Sequence, residues 1–158
     1  MDSFPRPVGP TISGGPVHGM TQKNQELTSN DAGVVLLVDD NAIQAATRQA
    51  ILRRAGYFVI AALNPERALE QFDSDEFPAE INLVITDHIM PGMTGSQFVR
   101  ELRKTHALVP VIVISGLDEA EIEYDGMNVS FLLKPLAPDL LLSNIRDLLQ
   151  EQEQEGAA

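Results

Sequence analysis

The chain has 158 residues and a formal charge of -12, from 11 Lys and Arg against 23 Asp and Glu; hydrophobic residues make up 44% of it and cysteine is absent. This suits one domain of ordinary size with its own core, and it excludes a disulfide framework, a thiolate metal centre and a cysteine nucleophile. The acid excess argues against a phosphate-binding face for nucleic acid, no apolar run approaches the roughly 20 residues of a membrane span, and no signal-peptide layout opens the chain, so the composition points to a cytoplasmic protein.

Residues 1–32 read as a disordered N-terminal tail. The first twenty hold four Pro and four Gly without apolar periodicity, too little to offset the entropy of ordering. The next segment, 34–38, is wholly apolar and rich in Val. Segments 57–61, 83–86, 111–115 and 130–133 behave likewise, as strands covered on both faces do. Between them lie helical patterns. Residues 41–55 are good helix formers ending at Gly56, a C-cap candidate. Asn64-Pro65 resembles an N-cap followed by Pro at the first helical position, opening 66–72. Segment 96–105 sets Phe98, Val99 and Leu102 at helical spacing, and 138–149 does the same with Leu141, Ile145, Leu148 and Leu149. The crossover between 115 and 130 is unusual: five acids fall in 118–125 without a base, and the apolar stripe is thin. A short or distorted fourth helix is expected there. Residues 151–158 read as a polar C-terminal tail. The whole predicts an α/β fold over 33–150, an open five-stranded parallel sheet of (βα)5, flavodoxin-like, doubly wound type.

In such sheets ligands bind outside the carboxyl ends of the strands. Here the first strand ends in Asp39-Asp40, the third in Asp87, the fourth in Ser115, and the fifth runs into Lys134-Pro135. Three converging carboxylates repel one another unless a cation intervenes. Mg²⁺ (or Mn²⁺) suits such oxygen donors and draws charge off a transferred phosphoryl group. A carboxylate is a competent nucleophile toward phosphorus, with Lys134 and Ser115 placed to contact the new phosphoryl oxygens. The expected chemistry is that of a metal-assisted phosphoacceptor.

The pieces Val-Asp39-Asp40-Asn41, Leu-Val-Ile-Thr-Asp87-His-Ile-Met-Pro-Gly-Met-Thr-Gly95, Val-Ile-Val-Ile-Ser115-Gly and Leu-Leu-Lys134-Pro135, in this order, resemble the receiver domain of two-component response regulators, over about residues 33–150. The resemblance implies that Asp87 is the phosphoacceptor and that Asp39 and Asp40 are metal-site acids. It also implies a ligand in the Ile89 backbone carbonyl, phosphoryl contacts from Ser115 and Lys134, a switch pair in Ser115 and Phe131, and a cis Lys134–Pro135 peptide. The implied partner is a histidine kinase or histidine phosphotransfer protein, in a stand-alone receiver without an output domain in the chain, signalling through protein contacts; no direct nucleic-acid or membrane partner is implied, and the oligomeric state stays open. Apart from catalysing its own phosphorylation and dephosphorylation, such a domain is not an enzyme. The alternatives are an Mg-dependent phosphatase or phosphotransferase, which the missing Asp-x-Asp signature and missing phosphate loops disfavour, and a binding module indifferent to phosphorylation. The remaining charges and small residues read as surface. Arg48, Arg53 and Arg54 solvate the first helix, His88 is solvated, the 118–125 acids form a solvated face, and Ala42, Ala45, Ala46 and Gln49 form a smooth helix face suited to a donor helix.

Overall fold

The computed structural model describes residues 32–157; the N-terminal tail expected over 1–32 falls, but for Ala32, outside the described residues. Five strands, β1 (Val34–Val38), β2 (Phe58–Ala62), β3 (Leu83–Asp87), β4 (Val111–Ser115) and β5 (Ser130–Leu133), alternate with four helices, α1 (Ala42–Arg54), α2 (Pro65–Asp73), α3 (Gly95–Thr105) and α4 (Pro138–Ala157). A 3₁₀ segment, Asp118–Tyr124, lies between β4 and β5. All pairings are parallel, in the order β2-β1-β3-β4-β5. This is the doubly wound sheet expected from the strand pattern.

The three central strands are buried at every position, which is why they read as unbroken apolar runs rather than alternating ones. Alternate residues feed two cores. Val35, Leu37, Ile85 and Ile114 pack with Leu52 of α1 and Leu141 and Ile145 of α4. Leu36, Val38, Val84 and Val113 pack with Ala68 of α2 and Phe98, Val99 and Leu102 of α3. Local chemistry sets the helix starts. Asn41 accepts from the Ile43 and Gln44 N–H groups, and Asn64 accepts from Arg67 N–H ahead of Pro65. Thr94 and Gln97 form a reciprocal capping box at α3. Gly56, at φ +103°, takes the left-handed turn after α1. Tyr57 N–H still bonds Leu52 O at 3.1 Å, so β2 begins at Phe58, one residue later than the apolar pattern suggested.

The fourth crossover is short and distorted as expected: only Ala120 and Tyr124 of its 3₁₀ segment are buried. The chain end differs from expectation. A polar tail was predicted from 151, but α4 continues to Ala157. Glu and Gln are strong helix formers and no breaker precedes Gly156, so Glu151 and Glu153 are exposed to solvent yet helical. Among the described residues no helix is long and apolar enough to cross a membrane.

Candidate functional site

The parallel register sets the side chains of the site. Asp87, the last residue of β3, pairs with Ile114, so Ser115 stands one step further out on the neighbouring strand. Ser115 in turn pairs with Leu133, and the Lys134 N–H bonds Ser115 O at 2.8 Å. On the other side of β3, Asp39 follows β1 and donates its N–H to Ala62 O at 3.0 Å. The polar groups therefore gather at one end of the sheet. Lys134 Nζ lies 3.2 Å from Asp87 Oδ1 and 3.4 Å from Gln44 Oε1 of α1. The Lys134–Pro135 peptide is cis.

Asp39 is wholly buried, and its Oδ1 accepts the Asn41 N–H at 2.9 Å. Burial pushes its carboxyl up from 3.8 to about 6; the Asp87 carboxylate adds to the rise, while the Asn41 N–H and the Arg48 guanidinium oppose it. Asp40 is exposed. Among the described residues no three carboxylate or imidazole side chains gather closely enough to hold an ion by themselves. The expected carboxylate triple is thus a close pair, Asp39 and Asp87, with Asp40 at its rim. The donor chemistry fits a hard divalent ion nonetheless: every donor is oxygen, and a carboxylate whose ionisation is opposed by its neighbour is stabilised by added positive charge.

The expected solvated role of Arg48 is corrected by the structure. Its Nη1 lies 3.0 Å from Asp39 Oδ2 and 3.4 Å from Asp87 Oδ1, with the side chain only 14% exposed. A long stem lets a residue of α1 reach back over the strand ends, and two buried carboxylates supply the attraction. Arg53 and Arg54 are exposed, as expected. The smooth face expected on α1 is divided: Ala42 and Ala46 are exposed, but Ala45 is buried in the core.

Ser115 is buried, and its hydroxyl serves its own loop: Oγ accepts the Leu117 N–H at 2.9 Å and donates to Leu117 O at 3.2 Å. Phe131 of β5 is partly buried, its ring centroid 5.8 Å from that of Tyr124. Ile89 and Leu117 flank the site as exposed apolar side chains. Met90 and Met93 pack into the core layer under α3.

His88, expected to be solvated, is buried instead. Its Nδ1 lies 2.7 Å from Tyr124 Oη, and its Nε2 lies 3.6 Å from Glu123 Oε2. Ser96 Oγ donates to Glu123 Oε1 at 2.8 Å. Burial, with the Glu123 and Asp87 carboxylates nearby, pushes the Tyr124 phenol up, so the contact with Nδ1 is made by a neutral hydroxyl, which can donate or accept. Glu123 joins this network while exposed, and Asp118, Glu119, Glu121 and Asp125 are exposed as well, as expected of the acidic stretch.

A family model for response regulator receiver domains matches residues 35–146. The chain is 32% identical over 143 residues to the sensor kinase CckA of Brucella abortus, an alignment covering 87% of this chain and 15% of that protein. To a two-component response regulator of Oryza sativa subsp. japonica it is 33% identical over 114 residues, covering 71% of this chain and 63% of the other. The chain thus spans less than two thirds of these relatives. Among solved structures, a CheY-like receiver domain protein from Methanospirillum hungatei superposes with a TM-score of 0.71 at 25% identity, covering 78% of this chain and 98% of that one. The signal receiver domain of a histidine kinase from Syntrophus aciditrophicus gives 0.67 at 26% identity, covering 75% and 91%. With the sheet order, the acidic strand ends and the matched span in agreement, the chain belongs to the response regulator receiver family, the phosphoacceptor modules of two-component signalling.

Proposed function

We propose that Asp87 is the acceptor of this receiver, taking a phosphoryl group from a phosphohistidine of a kinase or histidine phosphotransfer protein. The observation that carries this reading is the 3.2 Å contact of Lys134 Nζ with Asp87 Oδ1 at the mouth of a buried acid site. A carboxylate oxygen of Asp87 attacks phosphorus, the P–N bond to the donor imidazole breaks, and that nitrogen leaves with the bonding electron pair. Lys134 holds the carboxylate oriented beforehand and balances phosphoryl charge afterwards. Ser115 exchanges its bonds to Leu117 for one to a phosphoryl oxygen, and Phe131 follows it inward. Asp39, Asp40, Asp87 and the Ile89 carbonyl are the groups that would hold Mg²⁺ or Mn²⁺, which supplies charge neutralisation at the phosphoryl oxygens when bound. The domain in this reading catalyses its own phosphorylation and dephosphorylation, and it signals through a protein partner that reads the changed surface.

The test is incubation with Mg²⁺ and a small acyl phosphate donor, followed by intact-mass measurement. Wild type is expected to gain one phosphoryl group and Asp87→Asn none. A variant that is labelled as fully as wild type would remove Asp87 from the acceptor role.

The rim of the site bears on the lifetime of the product. Ile89 and Leu117 flank the acceptor and are 64% and 41% exposed. Neither can orient or deprotonate a water for attack on phosphorus. A comparatively long-lived acyl phosphate follows. Ile89→Asn or Leu117→Glu is expected to speed phosphoryl loss by about tenfold, less than the roughly hundredfold of a fully positioned general base, because a group added at the rim only helps to orient the water. Decay of the labelled protein, chased by intact mass, reads this directly, and unchanged rates in both variants would refute it.

A further inference from the structure

We infer that Arg48 is a resident cation of the acid site and sets how weakly that site holds a divalent ion. This rests on the metal-assisted receiver reading given above. Three observations carry it. Nη1 of Arg48 stands between the two carboxylates that face each other, 3.0 Å from Asp39 Oδ2 and 3.4 Å from Asp87 Oδ1. The side chain is largely buried, and so are both its partners, so water screens the contacts poorly. Finally, position 48 lies between Ala45 and Leu52, both buried on the core-facing side of α1. An apolar residue is the ordinary occupant of that stripe, and a guanidinium there has to be held by the acids it touches.

The consequence is competition between like charges. Three acids, Asp39, Asp40 and Asp87, stand at the site, and two cations, Arg48 and Lys134, already answer two of the charges. A divalent ion reaching Asp39 and Asp87 meets a fixed positive charge within a few ångströms and must share or displace its contacts. Lys134 touches Asp87 alone of the two carboxylates, whereas Arg48 touches both. Arg48 is therefore the group whose removal changes the charge felt by an ion between them. It acts as a positioning residue, keeping Asp39 and Asp87 together without metal and making the loaded state dependent on ion concentration.

Calorimetric titration of MgCl₂ into the metal-free full chain at pH 8 and fixed ionic strength tests this. Arg48→Met, which keeps the stem and removes the charge, is expected to bind Mg²⁺ about tenfold more tightly than wild type, as loss of one unit charge a few ångströms away from a divalent ion predicts. Arg48→Lys, which keeps the charge, is expected to stay within about threefold of wild type. Equal or weaker binding by Arg48→Met overturns the inference, and so does an Arg48→Lys protein that binds as tightly as Arg48→Met. Arg48→Gln serves as the neutral variant should Arg48→Met not fold. Asp87→Asn, made in wild type and in the neutral variant, separates the two levels. If it weakens Mg²⁺ binding in both, the ion is at this site and the comparison at position 48 decides the inference. If it changes neither, the ion is elsewhere and the metal-assisted reading falls, taking the inference with it.

Discussion

Replacing Asp39 with Asn is expected to make the metal-free protein more stable at neutral pH while abolishing stabilisation by Mg²⁺. The Asp39 carboxyl is raised from 3.8 to about 6 chiefly by burial. A group with a raised folded-state pKa binds protons more readily folded than unfolded, so its stabilising contribution is present below about 4 and is lost as pH rises toward about 6. Ionising it at pH 7.5 costs on the order of 3 kcal/mol. An Asn at 39 has no charge to desolvate. It can still accept the Asn41 N–H, and its amide can donate toward Asp87, though Arg48 loses one partner. A net gain of about 1–2 kcal/mol remains, roughly 5 °C in Tm for a domain of this size. Thermal melts of both proteins from pH 4 to 8 in chelator supply the measurement. The gap should open between pH 4 and 6 and stay level above. A variant less stable than wild type at pH 7.5, or a gap independent of pH, would contradict it. The site is then one in which the unloaded form bears a cost that a bound cation removes.

Gly95→Ala is expected to destabilise the domain by about 3 kcal/mol or more, against the usual sign of that exchange in a helix, where Ala is favoured by ~1 kcal/mol. A Cβ at 95 would stand 2.5 Å from the Asp87 carbonyl oxygen, 2.5 Å from Tyr124 Oη and 2.9 Å from His88 Cα. Two of these are backbone, so no rotamer change relieves them. The Gly95 N–H is fixed to His88 O at 2.7 Å, so the start of α3 cannot move away without breaking that bond and lifting Phe98 and Val99 from the core. Close approach, rather than unusual backbone torsion, demands glycine here. Urea unfolding reads the outcome, and an Ala variant as stable as wild type would show that α3 is free to shift. Because the clash is with Asp87 and His88, phosphorylation should suffer along with stability.

The central strands were legible because burial on both faces removes polar residues from them, and the strand ends because Asp39, Asp87, Ser115 and Lys134 interrupt apolar runs. Arg48 was not, because a charge on a helix is ordinarily a solvent charge. Its place in the core stripe between Ala45 and Leu52 was the available signal. His88 and Tyr124, 36 residues apart, meet only because the fourth crossover folds back over β3. No periodicity encodes that meeting. The length of α4 was missed because a run of Glu and Gln reads as solvated whether or not it is helical.

The bond between His88 and Tyr124 has a consequence for how the domain opens locally. The 3₁₀ segment Asp118–Tyr124 buries only Ala120 and Tyr124, and 3₁₀ geometry makes poor backbone bonds. Segments of this kind open locally below the free energy of global unfolding. Its ties to the rest of the domain are the Tyr124 phenol on His88, next to Asp87, and the Glu123 carboxylate that Ser96 Oγ donates to. This short segment is thereby bonded to the residue that follows Asp87. A disturbance at Asp87 therefore has a second, shorter route to the surface beside the sheet, through His88 to Tyr124 and the segment that carries it.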